Sequence, residues 1–369
     1  MEELIKFNVK TKPSEAGEYP VVIGSGIISK PLIESFAEGR RNFIVTDENV
    51  ESASLCSEFK AQDDKFIISP AGEISKNIKT VIEIVEAMEA AGFGRDSVIT
   101  GLGGGTVGDM AGFAAAIFKR GVPVIHIPTS TVAQADSSIG GKTGVDSSIS
   151  KNAFGAFHHP AAVIIDTHTL KTLPEREYLS GLAESVKHGL IMDSGYFSFI
   201  ENNTAELIGR GDQALKHLAK ENCRIKARVV EEDPCEKNQR RILNYGHTIG
   251  HAVETLSNCK LLHGECVSIG IIAAGLIEIE LGIGSKQRLE RIENLLNKLS
   301  LPVRIPDYIS KDDILSLIKH DKKAVDGWPR FALIEDIGKA YTKGGQWAHP
   351  VNARLVESAV NQLKQQAAR

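Results

Sequence analysis

Four short runs of consecutive β-branched and aliphatic residues mark the first half of the chain: NFIVTD (42–47), DSVITG (96–101), VPVIHIP (122–128) and AAVIID (161–166). Apolar runs of this length, punctuated by glycine, proline and aspartate, predict strands buried on both faces, as in a parallel sheet. Between the first two, Ile78, Val81, Ile82, Val85 and Met88 recur at helical spacing and Gly92 offers a stop, so this segment is predicted to be the crossover helix of a βαβ unit. Beyond Asp166 the strand signal fades. Helix-period segments take over in GLAESVKHGL, ALKHLAKENCRIKARVVEE, ILNYGHTIGHAVETL and ECVSIGIIAAGLIEIELG. The pattern predicts a Rossmann-like parallel α/β sheet over residues 1–172 and a mostly α-helical domain over residues 173–369. Neither repeats nor low-complexity stretches occur, so the join at Thr172 to Glu177 reads as a short hinge between packed domains.

Length agrees with that division, because 369 residues exceed one ordinary core of roughly 100–200 residues. Charge narrows the function classes. With 43 basic and 47 acidic side chains the net charge is −4, which gives no whole-molecule field for nucleic acid or anionic lipid. The first twenty residues carry no secretory pattern and no apolar run approaches the ~20 residues of a membrane span, so a soluble cytoplasmic protein is expected. Cys56, Cys223, Cys235, Cys259 and Cys266 are odd in number and form no C-x-x-C pair, which fits reduced, mainly structural thiols.

The candidate chemistry lies in two places. Directly after the strand DSVIT comes GLGGGTVGDMAGFAAAIF, where Gly103, Gly104, Gly105 and Gly108 precede a helix of small residues. Such glycines let a pyrophosphate approach the amides and positive end of the helix, although the spacing is not G-x-G-x-x-G. Asp47, at the tip of NFIVTD, stands where a carboxylate can accept from ribose hydroxyls, favouring NAD over its 2′-phosphorylated relative; its plainer reading is a helix or turn cap. The second place is NYGHTIGHAVE, whose His247 and His251 project from one face of a helix. With His263 in LLHGE and Glu184 in GLAESVKHG they offer a catalytic zinc site, and spacing leaves open which three of the four coordinate. His188, one turn after Glu184, is a decoy of the same chemical type.

These motifs join up. GGGTVGDMAGFAAAIFKRG, IPTSTVAQADSSIGGKTGVD, KNAFGAFHHP, GLAESVKHG, RRILNYGHTIGHAVE and LLHGE occur in the order and spacing of the 3-dehydroquinate synthases, which the chain resembles from about Asp47 to Lys323. The resemblance implies an NAD-binding domain, a helical metal domain and an active site between them. It places NAD contacts at Asp47, Glu73, Lys76, Gly104, Gly105, Asp109, Thr129, Ser130, Lys142, Lys151, Thr169, Leu170 and Thr172. It places the zinc or cobalt ligands at Glu184, His247 and His263, which leaves His251 for the phosphate or for proton transfer. The implied substrate-binding polar set is Lys142, Asn152, Lys187, Lys226, Arg240, Asn244 and Lys322 or Lys323, supported by Asp136. Arg120 is implied to reach the neighbouring subunit's site in a homodimer. Departures from the pattern are mild: Ser150 replaces a usual glycine, Ser130 a common threonine, and His188 stands where an aromatic residue is frequent.

The activity implied is conversion of 3-deoxy-arabino-heptulosonate 7-phosphate to 3-dehydroquinate and phosphate. Transient oxidation by NAD at carbon 5 makes the carbon 6 proton acidic, phosphate leaves, the hydride returns, and an aldol step closes the ring. Lys142, Lys226, Arg240 and Lys322 would meet the substrate's carboxylate and phosphate. Three other readings compete. A sister cyclase such as 2-deoxy-scyllo-inosose synthase tends to lose the aspartate and the SSIGGKT string that Asp109 and Ser137 to Thr143 retain here. A glycerol-dehydrogenase-like enzyme does not need Lys142, Asn152 and Arg240 together, and a catalytically dead NAD-binding module does not need the metal ligands.

Overall fold

The computed structural model describes residues 17–53, 55, 64–319 and 329–365. Its first half is built on a six-stranded, wholly parallel sheet. The strands are β1 (Val21–Gly24), β2 (Arg41–Asp47), β3 (Lys65–Ile68), β4 (Ser97–Gly103), β5 (Val124–Pro128) and β8 (Ala162–Asp166), in spatial order β1-β8-β5-β4-β2-β3. The four predicted strands are β2, β4, β5 and β8. The short β1 and β3, and an antiparallel hairpin of β6 (Lys142–Val145) and β7 (Phe154–Phe157), lie outside the runs read from the sequence. Both faces of the sheet are covered, which is why the strands are apolar without alternation. Phe43, Val45, Ile99 and Val124 pack under α3 (Ile78–Ala90) and α4 (Gly105–Ile117). Ile44, Val98, Leu102, Ile125 and Ile164 meet α1 (Lys30–Ala37) on the other face, and the short α2 (Glu48–Ser52) follows β2.

The crossover helix α3 forms where the apolar period predicts it and stops before Gly92, whose φ is +72°. Its inward stripe, however, is Val81, Ile84 and Met88, whereas Ile78 and Ile82 are 38% and 46% exposed. The spacing holds, but two of the five residues that carry it lie on the outer face.

Eight helices carry most of the rest: α5 (Glu175–Met192), α6 (Ser194–Asn202), α7 (Thr204–Ile208), α8 (Asp212–Glu232), α9 (His247–Leu256), α10 (His263–Glu280), α11 (Lys286–Lys298) and α12 (Lys311–Lys319). The short strands β9 to β12, between Arg330 and Pro350, and α13 (Ala353–Gln365) complete the described chain. Helix α10 is apolar all round and therefore runs through the middle, packed by α5, α9, α11 and α13. The segment ILNYGHTIGHAVETL is not one helix. A 3₁₀ stretch over Gln239–Asn244 ends at Tyr245, Gly246 takes a φ of +78°, and α9 begins at His247. Helix α8 joins the two halves, since its Ala219 and Cys223 pack against Val163, Ile165 and Ile139. Cys223 and Cys266 are buried, Cys235 and Cys259 exposed, and all four are free thiols; Cys56 lies outside the described residues. Among the described residues no helix is long and apolar enough to cross a membrane.

Candidate active site and metal centre

The sheet sets the first wall of the site. From β2 the chain moves outward to β3, and from β4 it moves the opposite way to β5, so a crevice opens where these paths diverge at the carboxyl ends of β2 and β4. Asp47 and the glycine loop meet there. Gly104 caps α4 with no side chain of its own, leaving the first amides of the helix open. A Cβ on Gly104 would stand 3.4 Å from Ser130 Oγ and one on Gly105 3.1 Å from Ser137 Oγ, so side chains there would fill the crevice. These are features of a pyrophosphate cradle, and they fit a dinucleotide. Asp47 Oδ1 accepts from Val50 N at 2.9 Å, so the carboxylate does cap α2, and one oxygen remains at the strand tip.

The surrounding polar residues form a lattice across the crevice. Lys76 bridges Asp109 at 2.7 Å and Asn152 Oδ1 at 2.8 Å, while Asn152 adopts a φ of +50° and donates its N–H to Asp146 at 2.6 Å. Glu73 faces Lys151 at 3.3 Å and accepts from Thr106 Oγ1 at 3.4 Å. Thr129 is buried at the end of β5, and Ser130 accepts from Ala133 N. The Thr169 to Thr172 segment is turned inward: Thr169 is bonded to Asp166 O and Gln134, Leu170 lies in the core, and Thr172 donates to Thr169 O. Contact of Thr169 or Leu170 with a cofactor would have to come from the main chain.

Helices α5, α9 and α10 supply the second wall. Glu184 on α5, His247 at the start of α9 and His263 at the start of α10 bring one ligand atom each within 4.8 Å of one another. Glu184 Oε1 is 3.4 Å from His247 Nε2 and 3.1 Å from His263 Nε2. His247 Nδ1 lies 3.0 Å from the Tyr245 carbonyl, which can only accept, so Nδ1 carries the hydrogen and Nε2 keeps its lone pair for a metal. Burial drives the Glu184 carboxyl up, but Lys187 and His247 outweigh it and hold it well below the ordinary carboxylate range. Burial pulls His247 down, keeping it neutral. His263, with carboxylates on both sides, is raised to about 10 against the pull of burial in the metal-free site. Two imidazoles and a carboxylate fit a divalent zinc-type metal. His251 is exposed, with its ring centred 5.1 Å from that of His247. A second grouping, His251, Glu254 and His263, shares one histidine with the first.

Beside His247 lies a cavity of ≈ 300 Å³ lined by Asn244, His247, His251, Glu236 and Arg330, among others, with Phe157 as its one lining residue from the first half of the chain. Lys142 and Asn244 both face Glu236, the latter pair at 2.7 Å. Lys187 is fully buried and paired with Glu184, and Glu184 and Asp136 hold its ammonium above the ordinary value against the pull of burial. Lys226 donates to Asp136, which sits on a π-helical turn after β5. Burial would raise the Asp136 carboxyl, yet Lys187 and Lys226 keep it well below its usual range. Arg240 is 1% exposed and binds the carbonyls of Pro234 at 2.6 Å and Gly140 at 3.1 Å, beneath the turn that presents Lys142. His188 stays away from the ligand cluster: its Nδ1 meets Asn222 Oδ1 at 3.0 Å and its Nε2 is 3.6 Å from Asp136. Arg120 is exposed in the 3₁₀ turn Phe118–Arg120 that follows α4, with a φ of +72°. Lys322 and Lys323 lie outside the described residues. Sequence reasoning missed Glu236, Glu254 and Arg330; Glu254, two turns beyond His247 on the same helical face, was the one with a signal.

The fold recurs in enzymes of known structure that were solved with NAD+ and a divalent metal. The structure is similar to 2-epi-5-epi-valiolone synthase from Streptomyces hygroscopicus subsp. jinggangensis, solved with NAD+ and Zn2+ bound (TM-score 0.85, 27% identity, 96% of this chain and 99% of that one). It is also similar to 2-deoxy-scyllo-inosose synthase complexed with carbaglucose-6-phosphate, NAD+ and Co2+ (TM-score 0.84, 27% identity, 93% and 96% covered). A probable glycerol dehydrogenase from Sinorhizobium meliloti, at 14% identity and a TM-score of 0.66 with 94% and 97% covered, shares the fold alone. In sequence, residues 66–180 match the 3-dehydroquinate synthase N-terminal family and residues 181–324 the 3-dehydroquinate synthase C-terminal family. The 3-dehydroquinate synthase of Ruminiclostridium cellulolyticum is 43% identical over 331 residues, 88% of this chain and 91% of that protein. That of Halorhodospira halophila is 40% identical over 356 residues, 95% and 100% respectively. The chain belongs to the 3-dehydroquinate synthase family.

Proposed function

We infer that this protein is a 3-dehydroquinate synthase, an NAD- and divalent-metal-dependent lyase that converts 3-deoxy-arabino-heptulosonate 7-phosphate to 3-dehydroquinate and phosphate. The observation that carries this reading is the Glu184, His247 and His263 cluster, joined through Glu254, Lys151 and Glu73 to Thr106 on the glycine-capped helix α4. Bound NAD supplies a reversible hydride acceptor, and a bound zinc or cobalt ion supplies a Lewis acid for the substrate hydroxyls. Glu184, His247 and His263 hold the metal, with the Tyr245 carbonyl fixing His247. Lys187 balances the charge of Glu184 from inside the protein. Lys142, Asn244 and Lys226 offer donors to the substrate's carboxylate and phosphate. His251, exposed at the cavity rim, is placed to serve the phosphate or a proton. Arg240 contributes by holding the Gly140 turn.

The division of labour follows the chain: residues 1–172 bind the dinucleotide and residues 173–369 the metal. We place the enzyme in the cytoplasm as a homodimer in which Arg120 serves the second copy's site. Supporting that assembly, Ile82, Ile117, Phe154 and Phe157 are 46%, 43%, 47% and 54% exposed on elements gathered around α4, which the turn bearing Arg120 follows. Phe157 also lines the cavity, so one of these exposed apolar side chains borders the site.

The test is incubation with the heptulosonate phosphate, NAD and zinc, following phosphate and NADH together. Dehydroquinate with one equivalent of phosphate and no lasting NADH absorbance is expected. Steady NADH accumulation would instead define a dehydrogenase.

A further inference from the structure

We propose that Glu254 is a positioning residue of the metal centre that fixes the tautomer and orientation of His263. The inference rests on the reading that Glu184, His247 and His263 hold a divalent metal. Glu254 Oε2 lies 3.1 Å from His263 Nδ1. An ionised carboxylate can only accept, so Nδ1 carries the hydrogen and Nε2, 3.1 Å from Glu184 Oε1, is left as the ligating atom. Each imidazole thus has its own anchor. For His247 it is the Tyr245 carbonyl, fixed by the main chain; for His263 it is a side chain, which must itself be held.

Lys151 holds it. Its ammonium reaches Glu254 Oε1 at 2.8 Å and Glu73 at 3.3 Å, and the Glu254 side chain is only 16% exposed. Glu254 is therefore pinned at both oxygens, and the chain Glu73, Lys151, Glu254, His263 runs from the glycine-loop side of the cleft to the metal. The spacing His247, His251, Glu254 is i, i+4, i+7 on α9, which turns Glu254 toward the same face as His247. The grouping of Glu254 with His251 and His263 does not make it a ligand of the same ion. It meets His263 at Nδ1, whereas Glu184 and His247 gather at Nε2, and one ring cannot present both nitrogens to a single metal.

Zinc affinity of the full chain, measured by competition with a chromophoric chelator, tests the assignment. Glu254→Ala is expected to weaken binding about 10- to 100-fold, and Glu254→Gln, which keeps an accepting oxygen without the charge, by less. The visible spectrum of the cobalt-loaded variants should keep its wild-type band positions, because the ligand set is unchanged. Melting of the metal-free variants provides the check on folding. Wild-type affinity in a folded Glu254→Ala overturns the proposal, as does a shifted cobalt spectrum, which would make Glu254 a ligand. If His247→Ala binds zinc as tightly as the wild-type chain, the metal reading itself fails and the proposal with it.

Discussion

Replacing Gly270 by alanine sets two known effects against each other in the middle of α10. Alanine is the better helix former by about 1 kcal/mol. The methyl, however, would lie 1.7 Å from the Gly246 carbonyl oxygen, 2.7 Å from its carbon and 3.0 Å from Gly250 N. A carbon–oxygen contact relaxes at about 3.3 Å, so α9 and α10 must part by roughly 1.5 Å. Overpacking of this kind costs typically 1–3 kcal/mol, and main chain is the least yielding obstacle, so we take about 3 kcal/mol. The net loss is then about 2 kcal/mol, or a fall in Tm of about 4–8 °C for a unit of this size. The displaced carbonyl belongs to the residue before His247, so the damage reaches the metal centre. Ligand distances there tolerate only about 0.2 Å, and a shift several times larger should weaken zinc binding at least tenfold. Thermal unfolding with and without zinc, beside a chelator competition titration, measures both effects. A Tm equal to or above wild type together with unchanged zinc affinity would refute the clash and show that helix propensity outweighs it.

Two further outcomes follow from the site. In the metal-free protein His263 is raised from 6.5 to about 10, so its contribution to stability is complete below about pH 6.5 and is lost as pH rises through about 10; the melting temperature of chelator-treated protein should fall over that window. Metal affinity should move the opposite way, rising about tenfold per pH unit between about pH 7 and 9 as the metal displaces that proton, and a flat cobalt titration series would contradict the assignment of His263 as a ligand. For the assembly, Arg120→Ala and Glu184→Gln homodimers should each be nearly inactive, whereas their equal mixture after subunit exchange should recover roughly a quarter of wild-type activity. Absence of recovery would place Arg120 outside the neighbouring site.

Local patterns determined a good deal of this protein. The buried strands β2, β4, β5 and β8, the helix α3 with its stop at Gly92, and the histidines on one face of α9 were all readable, because burying one face imposes a period on neighbouring residues. The short edge strands β1 and β3 and the β6–β7 hairpin were not, since four residues hold too few turns of any pattern. Nor did the period say that Ile78 and Ile82 face outward, which depends on what the rest of the chain leaves uncovered. The glycine motif and the His-x-x-x-His pair named the candidate chemistry, but spacing could not choose among four ligands. What brings Glu184, His247 and His263 within reach of one ion is the convergence of α5, α9 and α10, with Glu184 meeting His263 from 79 positions away. Likewise only the folded chain buries Arg240 against two carbonyls, sends His188 toward Asn222, and joins Lys151 to Glu254 across 103 residues. Backbone periodicity is a property of neighbours in sequence, whereas the partner of a charged group is set by packing between distant elements.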